Sequence, residues 1–200
     1  MYDYRDMTPE EKSRVVEERR RKHVPWHSPP HSEIAGNVSY LITAACYEHQ
    51  HIIAQTMERM VECEEGVLEV CRDVGAKVYA WCILPNHYHV LLRTERIKEL
   101  LKGLGQFHGR SSFKWNGEDG RRGRHCWYNA FERHMRSDRH FFASLNYVHH
   151  NPVHHGYTDN WIDWSWSSAA EFIEQNGREE TTRLWREYPL LNYGKKWDIY

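Results

Sequence analysis

Apolar and polar residues alternate with two different periods along this chain, and the switches between periods mark its elements. Asn37–Tyr47, NVSYLITAACY, is rich in β-branched and aromatic residues and predicts a first core strand. From about Gln50 to Val74 the apolar positions Ile52, Ile53, Met57, Met60, Val61, Val67, Leu68 and Val70 follow a helical pattern, punctuated by Gly66 and Gly75. Ala76–Ile83, AKVYAWCI, returns to strand character. Leu84-Pro85-Asn86 interrupts it, and His87–Leu92, HYHVLL, resumes it. Ile97–Trp115 reads as a helix and is followed by a flexible, net basic loop, NGEDGRRGRH. Cys126–Met135 suggests another strand. Ser137 then caps a helix over Asp138–His150, expected to end near Asn151-Pro152 because proline disfavours helical backbone in the residue before it.

The two ends of the chain differ from this core. Thr8, Pro9 and Glu11 read as a capping box opening a helix to about Lys22. Its body carries only Val15 and Val16 as apolar residues, so it is a surface helix or an arm, and it ends in the basic run Arg19–Lys22. The following HVPWHSPPH holds three prolines and cannot continue a helix. Near the other end, Trp161, Trp164 and Trp166 lie close together. They are expected to pack the tail onto the core rather than to stack bases. The order β-α-β-β-α-β-α predicts an α+β fold, with helices covering one face of a sheet. The expected divisions are an arm and Pro-rich linker at 1–34, a core domain at 35–160 and a Trp-rich extension at 161–200.

Composition bounds the class. At 200 residues, 40% hydrophobic and 14% aromatic, the chain suits one domain with appendages and can bury a real core. It contains no run of about 18 apolar residues, which excludes a membrane-spanning helix. The acidic, polar MYDYRDMTPEEKSR stands where a signal peptide would be basic and then apolar. Cys46, Cys63, Cys71, Cys82 and Cys126 are odd in number and form no C-x-x-C pair. They are expected as buried thiols in a reducing cytoplasm, not as a disulfide framework or zinc knuckle.

Charge alters the picture more. Lys and Arg number 27 against 28 Asp and Glu, a formal net charge of -1, which gives no global reason to expect nucleic acid. The distribution is uneven. Lys98, Lys102, Arg110, Lys114, Arg121, Arg122 and Arg124 are opposed in their stretch only by Glu99, Glu118 and Asp119, a bias suited to phosphate contacts. The 15 histidines add a further term, since free imidazoles charge below about pH 6.5.

Two pairs of residues carry candidate chemistry. His87 and His89 are two apart in a predicted strand, so both rings point to one face and can hold one cation beside an oxygen ligand. The plain alternative is a pair of surface histidines in a histidine-rich chain. Tyr147 and Asn151 are four apart in a helical pattern and face the same way. The asparagine offers an amide oxygen that a hard divalent ion accepts. The phenol, with a reference pKa near 10, becomes a better nucleophile towards a phosphate polarised by a cation. The plain alternatives are a half-buried aromatic and a helix-end asparagine. His150, three residues from Tyr147, is a candidate assistant.

The run AWCILPNHYHVLL at 80–92 resembles the histidine–hydrophobic–histidine motif of the IS200-like single-tyrosine transposases. The run LNYVHHNPVHHG at 145–156 is similar to the tyrosine motif of the REP-associated branch, and Trp127 and the phrase WSWSS at 164–168 fit the same pattern. Order and spacing agree over about residues 35–175. The resemblance implies a ferredoxin-like or RRM-like antiparallel sheet and a bacterial, cytoplasmic protein found at the nucleoid when bound to DNA. It implies cleavage of single-stranded DNA near hairpins with Mg2+ or Mn2+ and no nucleotide cofactor. Carried onto this chain, it implies His87 and His89 as metal ligands, Asn151 as the third ligand and Tyr147 as the nucleophile that forms a 5′-phosphotyrosine bond. Mobile-element members tend to carry glutamine at the last position, and Asn151 is closer to the REP-associated branch. Monomers and dimers both occur, and a monomer is the expectation here. Two other readings compete: a hairpin-binding regulator with little turnover, and a metal-dependent hydrolase built on the histidine patches.

Overall fold

The computed structural model describes residues 8–21 and 36–190. The chain divides into two units. Ala35–Tyr193 is one, and α1 (Pro9–Arg21) belongs to the other. The capping box of α1 forms as expected, with Thr8 N donating to Glu11 Oε2 at 2.7 Å and Glu11 N donating to Thr8 Oγ1 at 3.3 Å. Lys22 and the Pro-rich linker lie outside the described residues.

In the larger unit, β1 (Val38–Ala45), β2 (Lys77–Ile83), β3 (His87–Thr94) and β4 (Phe131–His134) form one antiparallel sheet in the order β2-β3-β1-β4. The α+β class holds. Side chains alternate across the sheet. Tyr40, Ile42 and Ala44 of β1 and Tyr88, Val90 and Leu92 of β3 enter the main core, which α2 (Met57–Asp73) and α3 (Ile97–Glu118) close with Met60, Cys63, Val67, Leu100, Leu104 and Trp115. The helices do not all lie on that face. α4 (Asp138–His154) packs on β2 and β3 from the other side, where Thr43, His87, His89 and Leu91 point. β3 is buried on both faces apart from Arg93, so it needs cover on both sides.

Local chemistry explains where elements differ from expectation. The first helical pattern starts late: two 3-10 turns precede Thr56, which caps α2 by accepting from Arg59 N at 3.2 Å. α2 and α3 approach closely, since a Cβ on Gly66 would lie 2.3 Å from Phe107 Cε2 and one on Gly103 would lie 2.7 Å from Val70 Cγ1. The strand expected at 126–135 shortens to β4. Ahead of it, Trp127 turns inward, stacks on His108 at 4.4 Å and donates to Ser111 Oγ at 3.1 Å.

The α4 helix continues through Pro152 for another turn instead of ending before it. Asn151 and Pro152 are buried, and His155 N closes on the Asn151 carbonyl at 3.1 Å, so packing overrides the local preference against helix before proline. The tail covers the β2 edge, as its tryptophans suggest. Ile83 N donates to the Trp166 carbonyl at 2.9 Å, Ser168 N to that of Trp81 at 3.0 Å, and Trp164 Nε1 to that of Ile83 at 2.8 Å. Two short helices, α5 (Ala169–Asn176) and α6 (Arg178–Glu187), follow. All five cysteines are free and buried.

Candidate active site

The two periods read from sequence meet across the interface of β3 with α4. A strand period of two sends His87 and His89 to the α4 face, with ring centroids 5.0 Å apart. A helical spacing of four aims Tyr147 and Asn151 back at them. Tyr147 Oη lies 3.5 Å from His89 Nε2, and Asn151 Oδ1 lies 3.2 Å from His87 Nε2. None of the four residues is more than 2% exposed.

The hydrogen bonds behind His87 fix its tautomer. Asn86 Nδ2 donates to the His49 carbonyl at 3.0 Å, which orients the amide and leaves Asn86 Oδ1 as an acceptor 2.7 Å from His87 Nδ1. Burial, and then the neighbouring His89 and His155, hold the His87 pKa well below the usual imidazole range. The ring is therefore neutral, its single proton is on Nδ1, and Nε2 presents a bare lone pair to Asn151 Oδ1. Two acceptors at 3.2 Å repel unless a positive charge lies beside them. Asn151 Nδ2 is itself buried with no hydrogen-bond partner. These atoms suit a cation.

His89 completes the donor set. Thr43 stands opposite it in register, with Oγ1 2.8 Å from His89 Nδ1. The hydroxyl can accept from Nδ1–H, the tautomer that leaves Nε2 bare. Burial, and then His155, lower the His89 pKa to about 3. Both imidazoles are thus held neutral, the state a metal ligand requires. Two imidazole nitrogens and an amide oxygen fit a divalent ion. No group of three or more His, Cys, Asp or Glu suited to a metal occurs among the described residues.

Three neighbours were not assigned by sequence reasoning. Asn86 had a signal, since it precedes His87 directly. Thr43 had none, because only cross-strand pairing brings it to His89. His155 follows Tyr147 by eight residues in the chain. In space its ring lies 4.9 Å from that of His87, with a pKa lowered to about 4 by burial and then by His154 and His49.

The basic stretch lies elsewhere. Tyr88 Oη sits 3.0 Å from His108 Nε2, which fixes α3 on the face away from His87 and His89. Lys98, Lys102, Arg110 and Lys114 therefore stand across the sheet from the four site residues. Lys114 is paired with Glu62 at 2.8 Å. Arg124 is 8% exposed and paired with Asp119 at 2.6 Å. Arg122 lies over the Phe113 ring at 4.3 Å and donates to the Phe113 carbonyl at 2.6 Å. Lys102, Arg110 and Arg121 are exposed.

The sequence profile of the family described as "Transposase IS200 like" matches residues 36–151. A curated Haemophilus influenzae protein named for the REP-associated tyrosine transposases is 29% identical over 118 residues, or 50% of this chain. The match spans 62% of that relative's length, less than two thirds. The fold is similar to a solved REP-associated tyrosine transposase bound to a REP hairpin, with a TM-score of 0.57 and 16% identity, covering 76% of this chain and 87% of that one.

Proposed function

The chain belongs to the IS200-like transposase family, and from that premise we propose that it cuts and rejoins single-stranded DNA beside a hairpin through a covalent bond to Tyr147. The observation that carries this reading is the position of Tyr147 Oη, 3.5 Å from His89 Nε2, beside the facing acceptors His87 Nε2 and Asn151 Oδ1. The hairpin partner is supported by the related solved structure, a REP-associated tyrosine transposase bound to a REP hairpin.

His87, His89 and Asn151 would hold the divalent ion, Mg2+ or Mn2+. When bound, such an ion supplies positive charge against a non-bridging oxygen of the scissile phosphate. The protein's own residues do the rest. Asn86 and Thr43 orient the two imidazoles, and burial keeps both neutral. α4 aims the phenol. As Tyr147 Oη attacks phosphorus, the Oη–P bond forms and the P–O3′ bond breaks. The phenol loses a proton and the departing 3′-oxygen gains one, so the proton count balances. The product is a 5′-phosphotyrosine ester and a free 3′-OH. Another 3′-OH reverses the step and joins strands without ATP.

In this reading residues 35–160 are the catalytic domain, 1–34 an arm and 161–200 a Trp-rich extension, of which Trp164, Trp166 and Ser168 cover the β2 edge. Lys102, Arg110 and Arg121 are phosphate contacts for duplex parts of the DNA, outside the cleavage centre. The chain acts as a monomer, in keeping with a sheet edge already covered by its own tail. No described helix is long and apolar enough to cross a membrane.

The test is incubation with a panel of single-stranded hairpins and Mn2+, followed by a denaturing gel. A covalent DNA adduct is expected, lost in Tyr147→Phe while hairpin binding survives. Cleavage that persists in Tyr147→Phe without an adduct would sink the reading.

A further inference from the structure

The sheet face that carries the histidine pair also carries a cross-strand row. Cys82 of β2 pairs with His89 of β3, His89 with Thr43 of β1, and Thr43 with Phe131 of β4. Strands lie about 4.8 Å apart, so Phe131 stands on the order of 10 Å from His89, on the same face. Exposure rises along this row. His89 is 0% exposed, Thr43 is half-buried and Phe131 is 38% exposed. α4 packs chiefly on β2 and β3, at the far end of the row from Phe131. The other exposed large apolar side chains among the described residues, Met57, Val61 and Phe113, belong to α2 and α3 on the opposite side. Phe131 is thus the exposed aromatic that shares a face with the site.

The strand positions of this face are rich in cations. Its strand positions carry Lys77, Arg93 and Arg133 and no carboxylate, while Glu132 points to the other face with Ile42. Arg133 stands in the next row, opposite Leu41, on the same side as Phe131. Arg136 and Arg139 follow at the start of α4, with Asp138 as the acid there. An aromatic ring beside cations, continuous with a phosphate-cleaving centre, matches what holds single-stranded DNA: bases stack on the ring and the backbone follows the charge.

We propose that Phe131 stacks a nucleobase of the single-stranded segment flanking the scissile phosphate, and that Arg133 takes a neighbouring phosphate of that segment. This rests on reading Tyr147 as the strand-cleaving nucleophile. The platform positions the strand so that the scissile phosphate falls at His87 and His89, and because every base has a stacking face it imposes no sequence of its own. It also answers how a chain of net charge -1 can grip a polyanion: the positive charge on this face is local.

The experiment compares the full-length protein with Phe131→Ala and Phe131→Trp, in chelator to prevent turnover, by fluorescence anisotropy. The probes are a hairpin with a single-stranded flank, the same hairpin without it, and flanked hairpins bearing an abasic site at successive positions. Phe131→Ala is expected to weaken the flanked hairpin about tenfold and leave the bare hairpin unchanged. Phe131→Trp should restore affinity, and one abasic position should weaken the wild type to the level of Phe131→Ala. Equal loss on both hairpins, or no loss on the flanked one, overturns the stacking role and leaves the cleavage reading standing. Absence of binding to either hairpin by the wild-type protein overturns both. Unchanged thermal melting of the two variants guards against misfolding, and if Phe131→Ala melts early, the abasic series on the wild type decides alone.

Discussion

Thr43 on β1 and His89 on β3 stand directly opposite each other, and the threonine hydroxyl lies 2.8 Å from His89 Nδ1. Asn86 Oδ1 is the counterpart behind His87, at 2.7 Å. Each ring nitrogen that faces away from the site is thus occupied, which steers the other nitrogen inward. Thr43→Val keeps the shape and removes the hydroxyl, and Asn86→Ala removes the amide. Each is expected to lower Mn2+ affinity about 10- to 100-fold, read by electron paramagnetic resonance titration without DNA. Thr43→Ser should retain affinity. Unchanged affinity in Thr43→Val would show that the hydroxyl only packs.

The most buried cation in the described fold holds α2 to the end of α3. Arg59 is 3% exposed and donates to Glu118 at 2.8 Å, to Asp119 at 2.7 Å and to the Trp115 carbonyl at 3.2 Å. Arg124 pairs with the same Asp119. Arg59→Ala removes a donor from the Trp115 carbonyl and the tie to Glu118, while Asp119 keeps Arg124, and is expected to cost about 1–3 kcal/mol. Urea denaturation followed by circular dichroism measures it. A loss below about 1 kcal/mol would contradict the network's role.

Gly66 sits where α2 meets the Phe107 ring. A Cβ there would approach Phe107 Cε2 to 2.3 Å, so Gly66→Ala forces the ring or the helix to move. Overpacking of this kind costs about 1–3 kcal/mol, which outweighs a gain of up to about 1 kcal/mol in helix propensity. The thermal midpoint is expected to fall. A rise would show that propensity wins and that the contact yields.

Acid should unfold this protein earlier than its carboxylates alone require. Burial lowers the pKa of His89, His108 and His149 to about 3 and that of His87 well below the usual range. In the unfolded chain each returns to about 6.5, so below that pH the unfolded state binds more protons. The stability these groups contribute is complete above pH 6.5 and drains away as pH falls towards 3. At pH 5 His89, His108 and His149 are each expected to remove about 2 kcal/mol. Asp119, held below its usual range chiefly by Arg59 and also by Arg124, adds a further loss only at lower pH. Urea midpoints at pH 7.5, 6 and 5 test this. A midpoint flat over that range would contradict it.

The sequence by itself determined what backbone period alone can determine. The strand character of HYHVLL put His87 and His89 on one face, and helical spacing put Tyr147 and Asn151 on one face, because these directions follow from 2.0 and 3.6 residues per repeat. The capping box at Thr8 and the cap at Ser137 are equally local. The expected helix end at Pro152 failed because a local preference yields to packing: Asn151 is buried and stays in helical register with Tyr147.

Only the tertiary structure decided which residues share the site's side of the sheet. Lys98, Lys102, Arg110 and Lys114 form a basic run in sequence, yet α3 fills the core on the Tyr88 face, so they lie across the sheet from the histidines. Thr43 and Phe131 are 46 and 42 residues from His89 in the chain and reach its row only through strand pairing. β2 and β3 form a local hairpin across Leu84–Asn86, but the pairing of β1 with β3 and with β4 is a matter of non-local hydrogen bonding, which no residue spacing encodes.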